Sequence, residues 1–405
     1  MSVIVACPPA QALVSLNDGH DHIYVTGGVG FGWDSNVFAS NDAQGDSSTN
    51  ASILLEYTRR AGWIGVNGSL SVQSGRYGRF TSENFTNPKL DMEFTKQTGR
   101  TTGSLTLSAA RESRADAAVN VRTSSWNYAT GLNFRYPMAG LYTLSGQLGF
   151  SDVIYVGGSG QSASQPSSNP GDGSTPTTPP SVRFPDLATY TASFDLIRIL
   201  SSERDLMLGY RYRKGQTSAS LSNEDHSATI GLTGKLIRGL NGSLRVGYQI
   251  RIPHGADSLG LQERRSGSWT ASGSATYPIS KRLNFTGTIG KDFSTTANDI
   301  SVDTTMASLD FQYAYSSHWV MTGSLSAGDS RFLGDSGREL IAFGPPPILG
   351  PSRHDQYLAG NLTLNYSLNE HLKVAATAAW FRNWSNSNFA QFVRKSYNLS
   401  VSSRW

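Results

Sequence analysis

The chain has 405 residues, a formal net charge of +4 and one cysteine, Cys7. A single cysteine excludes an intrachain disulfide, and the scattered Lys and Arg residues form no basic block of the kind that binds nucleic acid. Aromatic residues reach 10%, which excludes general disorder, although the mean hydropathy is only −0.31. No apolar run is long enough for a transmembrane helix, because such a helix needs about 18 or more apolar residues.

The first residues resemble the end of a secretory signal. A short apolar run, Val3 to Cys7, is followed by an Ala-x-Ala site that ends at Ala12. Small residues at this spacing mark cleavage of secreted proteins. We therefore interpret residues 1–12 as the remnant of a signal peptide and residues 13–21 as a periplasmic lead. A lipoprotein box at Ile4–Cys7 and an ordinary N-terminal tail are the alternatives.

From His22 onward, apolar and polar residues alternate in short segments, which is typical of strands with one apolar face. The first segment, for example, places Val29, Phe31 and Trp33 on one face and glycines on the other. Reading parity in this way predicts about 18 strands. They lie near 22–33, 51–58, 62–73, 88–96, 100–111, 125–136, 141–151, 189–198, 204–213, 227–236, 240–250, 268–277, 282–291, 305–315, 319–328, 357–367, 372–382 and 396–405.

The connections between these segments alternate between short and long along the chain. Short turns join the strands of eight hairpins, whereas the connections between hairpins run from about a dozen to over thirty residues. A transmembrane up-and-down antiparallel β-barrel has this asymmetry, with short periplasmic turns and long extracellular loops. We therefore predict an all-β fold in which residues 22–405 form one barrel of about 18 strands.

A soluble β-sandwich would also alternate in parity, so the positions of the aromatic residues matter. Many Trp and Tyr residues lie at strand ends, where the interfacial girdles of membrane barrels lie. They are Trp63, Trp126, Tyr136, Trp269, Tyr277, Tyr315, Trp319 and Trp405. A closed barrel also leaves no backbone group unpaired in hydrocarbon. These observations favour the membrane barrel over the sandwich.

Two connections differ from the rest in composition. Residues 157–181 are rich in Gly, Ser, Pro and Thr, which predicts a flexible extracellular loop. Residues 329–355 contain Phe343-Gly-Pro-Pro-Pro347 and are stiffer, so they are the better candidate for a plug or a ligand-contacting loop.

Gly32-Trp33-Asp34-Ser35-Asn36-Val37-Phe38 resembles a segment at the end of the first strand in a family of outer-membrane β-barrel porins often found with exopolysaccharide-production genes. The matching positions are Trp33, Asp34, Ser35, Asn36 and Phe38. The last segment, Ser396–Trp405, resembles the C-terminal signal of outer-membrane proteins, with Tyr397 and Trp405 as its aromatic positions. The resemblance implies the barrel-assembly machinery as a partner and a part in polysaccharide export. Ordinary turn chemistry at Asp34, Ser35 and Asn36 is the alternative.

The chain contains none of the common catalytic, nucleotide-binding or metal-binding motifs, so we predict neither an enzyme nor a cofactor. The strand positions that alternate with the apolar ones are expected to face the lumen, and several of them carry cations. These predicted pore-lining residues are Arg135, Arg211, Arg213, Arg245, Arg251 and Lys373. Arg211, Arg213, Arg245 and Arg251 come from nearby strands and would form either a basic stripe that favours anions or salt bridges with acidic residues.

The sequence thus predicts an exported protein of the bacterial outer membrane. Its function is a porin-like passive channel or an accessory of exopolysaccharide export, and a structural or adhesive barrel with an occluded lumen is the alternative. The expected partners are outer-membrane lipid or lipopolysaccharide and, in the lumen, polysaccharide or small hydrophilic solutes.

Overall fold

The computed structural model describes residues 13–16, 20–60, 62–116, 121–159, 184–219, 221–255, 264–297, 300–335, 337–342 and 348–405. The predicted signal remnant, residues 1–12, and residues 160–181 of the predicted flexible loop lie outside these ranges. Residues 343–347 of the stiffer loop also lie outside them.

The described part of the chain is built almost entirely of strands. In chain order they are β1 (Val14–Leu16), β2 (Asp21–Asp34), β3 (Asp46–Arg59), β4 (Gly65–Tyr77), β5 (Phe85–Lys96), β6 (Thr102–Asp116), β7 (Val121–Ala139), β8 (Tyr142–Ser159), β9 (Leu187–Ser201), β10 (Arg204–Thr217), β11 (Ser222–Ile237), β12 (Leu240–His254), β13 (Ser266–Pro278), β14 (Leu283–Thr295), β15 (Ser301–Ala314), β16 (Trp319–Phe332), β17 (Arg338–Ala342), β18 (Ile348–Ser352), β19 (His354–Ser367), β20 (Leu372–Ser385) and β21 (Phe392–Arg404). Two short 3₁₀ helices, Thr81–Glu83 and Asn388–Ala390, lie in connections. No helix in the described ranges is long and apolar enough to cross a membrane.

The strands form one closed antiparallel barrel. From β2 to β16 and from β19 to β21, each strand pairs with the next along the chain. β16 pairs with β19, and β21 pairs with β2 in a register that includes Val29↔Val401 and Asp34↔Ser396. β17 and β18 form a separate two-stranded sheet. The sheet contains 19 strands, of which β1 pairs only with the first residues of β2, so 18 strands make the barrel wall. The predicted all-β, 18-stranded up-and-down barrel is therefore confirmed.

The apolar faces of the strands point outward, away from the barrel axis. Val29 and Phe31 keep 62% and 61% of their surface exposed, which is unusual for large apolar side chains in a folded protein. Equivalent outward positions on other strands carry Ile53, Leu70, Leu132, Leu208, Ile230, Val246, Leu309, Leu325, Leu362 and Leu399. The wall therefore carries a continuous apolar band on its outside.

Small and polar residues occupy the opposite face. On this face, hydroxyl groups of neighbouring strands are hydrogen-bonded to each other, for example Thr288 with Ser308 at 2.7 Å and Thr363 with Thr377 at 3.0 Å. The largest fully buried side chains lie in the β2–β3 connection (Val37 and Asn36) or on β12 and β14 (Gln249 and Phe293), and not in a central core. The fold is thus polar inside and apolar outside.

The strands are longer than predicted at the end where the long connections lie. β10 and β11, for example, remain paired as far as Gln216↔Ser222, which leaves only residues 218–221 as their connection. Residues 296–300 likewise suffice between β14 and β15. Pairing continues because these polar strand ends still satisfy backbone hydrogen bonds beyond the apolar band. The short turns agree with prediction, including the two-residue turn at 238–239, where Gly239 has a φ of +82°.

Candidate functional site

The lumen is the space that the 18-stranded wall encloses. Eighteen strands spaced about 4.8 Å apart and tilted by about 40° enclose a circle with about 35 Å between opposite backbones. Barrels of this strand number leave an aqueous channel, because inward side chains do not reach across the centre. Inward side chains here are mostly Ser, Thr, Asn and Gly, which are short and polar.

Arg211 and Arg213 of β10 and Arg251 of β12 lie together on the inner wall. Arg213 donates to Asp225 of β11 from Nε at 2.9 Å and from Nη2 at 2.7 Å. Arg251 donates to the same carboxylate from Nε at 2.7 Å and from Nη2 at 2.8 Å. Arg211 and Arg213 also donate to Asp292 of β14, at 2.7 Å and 3.1 Å. We call these five residues the arginine cluster.

The end of β14 covers part of the arginine cluster. The pairing of β13 with β14 ends at Ala271↔Lys291. The residues of β14 after Lys291 stay paired with β15 alone, as far as Thr295↔Ser301. Freed on one side, the β14 end packs across β10 to β12, where Arg213 donates to the carbonyl of Phe293 at 2.6 Å. Asp225 and Arg251 each retain only 3% exposure. The cluster is therefore a fixed part of the wall, and it narrows this side of the lumen.

Arg245 of β12 lies on the same inner wall, displaced along the barrel axis. Its Nη1 donates to Asp195 of β9 at 2.7 Å, and its Nη2 lies 3.4 Å from the sulfur of Met207. The carboxylate reaches across β10 because Gly209 carries no side chain between them; a Cβ there would lie 2.4 Å from Asp195. The glycine therefore leaves room for the ion pair.

Of the two arrangements predicted for these arginines, the structure contains the salt bridges. Four arginines face three aspartates, so the formal charge of the group is 4 − 3 = +1. Arg135 and Lys373 also lie at inward positions, near the short turns, and both are exposed. Neither has an ion-pair partner among the described residues. Whether any of the six lines a conducting pore stays a prediction.

The alternation of polar and apolar residues did not predict Asp225 and Asp292, which hold the arginine cluster together. Asp225 precedes the predicted strand 227–236, and Asp292 follows the predicted strand 282–291. Asp225 lies two residues before the inward-facing Ser227, so continuing the alternation would have placed it on the inward face. The inward bend of β14 has no such signal, because it arises from the loss of pairing with β13.

The barrel closes along a seam between β2 and β21. At the end with the short turns, Trp405 and Val25 exchange backbone hydrogen bonds of 2.8 Å and 2.9 Å. The Trp405 ring stacks on His371, with centroids 4.2 Å apart. Tyr397 lies outside the barrel, stacked on Trp33 at 6.1 Å. Tyr397 thus lies on the closing strand and Trp405 directly follows it, although their role in assembly stays a prediction.

The 33–38 segment holds the other end of the same seam. Asp34 accepts from Arg394 of β21 at 2.9 Å and also from the backbone N–H of Asn36 at 3.0 Å. The buried Asn36 amide donates to the carbonyls of Ser40 at 2.7 Å and Val393 at 3.3 Å. The segment therefore combines ordinary turn chemistry with contacts to the last strand.

Two further residues of this segment anchor the connection that follows it. Ser35 accepts from the backbone N–H of Lys395 at 2.8 Å. The Phe38 ring packs edge-on against Phe80 at 5.1 Å, which joins the β2–β3 and β4–β5 connections.

Two further features of the described ranges concern metal ions and the connection at residues 329–355. No group of three or more His, Cys, Asp or Glu residues is placed there to hold a metal ion. Within residues 329–355, β17 and β18 form a small hairpin in which Arg338 donates to the carbonyl of Gly350 at 2.8 Å.

No family model matches the chain, and no curated protein matches it either. Solved structures do match its fold. The unliganded ferric citrate transporter FecA is 10% identical, covering 97% of this chain and 64% of that chain with a TM-score of 0.50. OccK2 (OpdF) of Pseudomonas aeruginosa, in complex with glucuronate, is 10% identical, covering 95% of this chain and 97% of its own with a TM-score of 0.47. The siderophore receptor PirA of the same organism is 10% identical, with coverages of 95% and 80% and a TM-score of 0.45. At such identity the likeness shows the barrel fold alone.

Proposed function

We propose that the chain is an integral outer-membrane β-barrel that works as a passive channel for small hydrophilic solutes. The observation that carries this proposal is the inverted polarity of a closed wall, with an apolar band outside and a polar face inside. In water, such an exposed apolar band would cost about 25 cal/mol for each Å². In a bilayer the same band is solvated by hydrocarbon, and closure leaves no open sheet edge facing the lipid.

An open lumen is supported by side chains that face inward and remain exposed. Lys89 and Asp91 of β5 point into the barrel, form an ion pair at 2.9 Å, and keep 53% and 41% of their side-chain surfaces exposed. A lumen filled by its own wall would bury such residues. In the described part of the chain, this favours the channel over the occluded structural or adhesive barrel.

Neither an enzyme nor a ligand-gated transporter is needed to account for the lumen. Four of the six predicted pore-lining cations are paired within the wall, which suits selection of solutes by size better than tight binding of one solute. A role in exopolysaccharide export rests only on the resemblance of residues 32–38. Since those residues stabilise the seam, their presence is accounted for without polysaccharide.

Two measurements test the proposal. Protein purified without residues 1–12 should stay soluble only in detergent or lipid, and a detergent-free soluble monomer would contradict the membrane location. Liposomes that contain the folded barrel should swell in isotonic solutions of small sugars, at rates that fall as the sugar becomes larger. Liposomes that remain impermeable to the smallest sugar would contradict the channel.

A further inference from the structure

A groove runs along the outside of β20, near the closing seam. Two small outward residues of β20 each lie between large residues of both neighbouring strands. Ala378 lies between Leu362 and Tyr397, in the registers of β19 and β21. Ala376 lies in the same way between Leu364 and Leu399. The groove has a volume of about 420 Å³, within the range of about 300–1,000 Å³ of small-molecule sites.

Two cations lie beyond the end of this groove, where Trp380 is the next outward residue of β20 after Ala378. Lys395 of β21 and Arg382 of β20 are exposed outward residues that lie diagonally across the two strands, since Lys395 pairs with Trp380 and Arg382 pairs with Val393. Diagonal neighbours in an antiparallel pair are about 7–8 Å apart at Cα, within reach of one ligand group for side chains of this length. Neither cation has an acidic partner among the described residues.

The surroundings of the pair contain aromatic residues and little negative charge. Arg382 stacks over Trp384 at 4.8 Å, which orients its guanidinium along the outer surface. The acid on the neighbouring outer rim, Asp329, accepts from Gln356 at 3.1 Å and from Arg331 at 3.2 Å. The cations are therefore available to an external anion, at the level where Trp33 and Tyr397 end the apolar band.

We propose that this surface binds one phosphorylated lipid of the outer leaflet. An acyl chain lies in the groove over Ala376 and Ala378, and the phosphate binds between Lys395 and Arg382. A neutral lipid would fill the groove but leave both cations unpaired, and a soluble anion would leave the groove empty. Only a ligand with both an apolar chain and a phosphate matches both features. The proposal rests on the membrane location under Proposed function but not on the channel.

Native mass spectrometry of the full barrel in neutral detergent tests the site. The probes are dioleoyl phosphatidic acid and dioleoyl phosphatidylcholine, which share acyl chains but differ in headgroup. The wild type should retain one phosphatidic acid at concentrations where it retains no phosphatidylcholine. The double variant Arg382→Gln/Lys395→Gln should bind phosphatidic acid about tenfold more weakly, because two charge-assisted contacts are lost. Ala378→Leu, which fills the groove, should also weaken binding.

The control is Lys281→Gln/Arg282→Gln, which removes two exposed cations from the short turn at the other end of the barrel. It should bind phosphatidic acid like the wild type. Equal retention of the two probes by the wild type, or undiminished binding by the Arg382/Lys395 variant, would overturn the site. Channel activity of the same samples is recorded separately. A wild type that retains phosphatidic acid but does not conduct would contradict the channel and leave the lipid site standing.

Discussion

Replacement of Asp225 by Asn tests the arginine cluster most sharply. The change keeps the shape of the side chain but removes the one carboxylate that accepts four hydrogen bonds from Arg213 and Arg251, at 2.7–2.9 Å. Removing one partner from a buried ion pair costs about 3–5 kcal/mol, because the other charge stays buried without compensation. Arg213 keeps its contact with Asp292. We therefore expect the lower end, a loss of about 3 kcal/mol in the free energy of unfolding.

The assay is urea-induced unfolding of the barrel in lipid vesicles, followed by tryptophan fluorescence. Asp91→Asn is the matched control, because Asp91 also pairs with one cation but keeps 41% of its side-chain surface exposed. Exposed pairs contribute about 0–1 kcal/mol, so the control should lose no more than that. If Asp225→Asn destabilises the barrel no more than Asp91→Asn, the cluster is not the buried network described above.

The remaining predictions concern charge selectivity, the seam and assembly. Arg245→Gln should leave Asp195 unpaired in the lumen and raise the preference of the channel for cations. The measurement is the reversal potential in a salt gradient, and an unchanged potential would contradict a place for this pair on the ion path. Arg394→Gln should destabilise the barrel by about 1–3 kcal/mol in urea unfolding, because the partly buried carboxylate of Asp34 loses its cationic partner. A loss within about 0.5 kcal/mol, as is usual for surface changes, would contradict a stabilising role at the seam. Deletion of Trp405 should lower the amount of folded barrel in the outer membrane more than the conductance of those barrels that do fold, and normal membrane levels would contradict its role in assembly.

The fold was predictable because period-two alternation repeats along nearly the whole chain. Alternation identified each of the 18 wall strands, and the last segment pairs with the first, as closure of a barrel requires, with Leu399 opposite Phe31. What alternation did not show was how far the strands extend. Beyond the apolar band both faces are polar, so residues such as Ser222–His226 of β11 carry no contrast between faces, although they pair as regularly as the rest.

The lumen was less predictable than the wall. Parity placed Arg211, Arg213, Arg245 and Arg251 on the inner face, but it could not show their partners, since those come from other strands. Asp292 reaches Arg211 only because the β14 end bends inward, 81 residues away along the chain. The result is a nearly neutral group where a basic stripe was one of the two expectations.

The 33–38 segment shows how a local motif gains a long-range role. Its turn-forming residues explain the chain reversal after β2, but the contacts of Asp34 and Asn36 to β21 span about 360 positions. No feature of the local sequence indicates such partners. They follow from closure, which places the first and last strands side by side.

Single-channel recording in planar bilayers tests the central claim most directly. Folded wild-type protein should insert and give stable conductance steps without any ligand or energy source. The arginine cluster and Arg245 should add little preference for chloride over potassium, since with their three aspartates they carry a formal charge of only +1. Folded barrels that insert but remain electrically silent would contradict an open lumen and favour a structural or adhesive barrel.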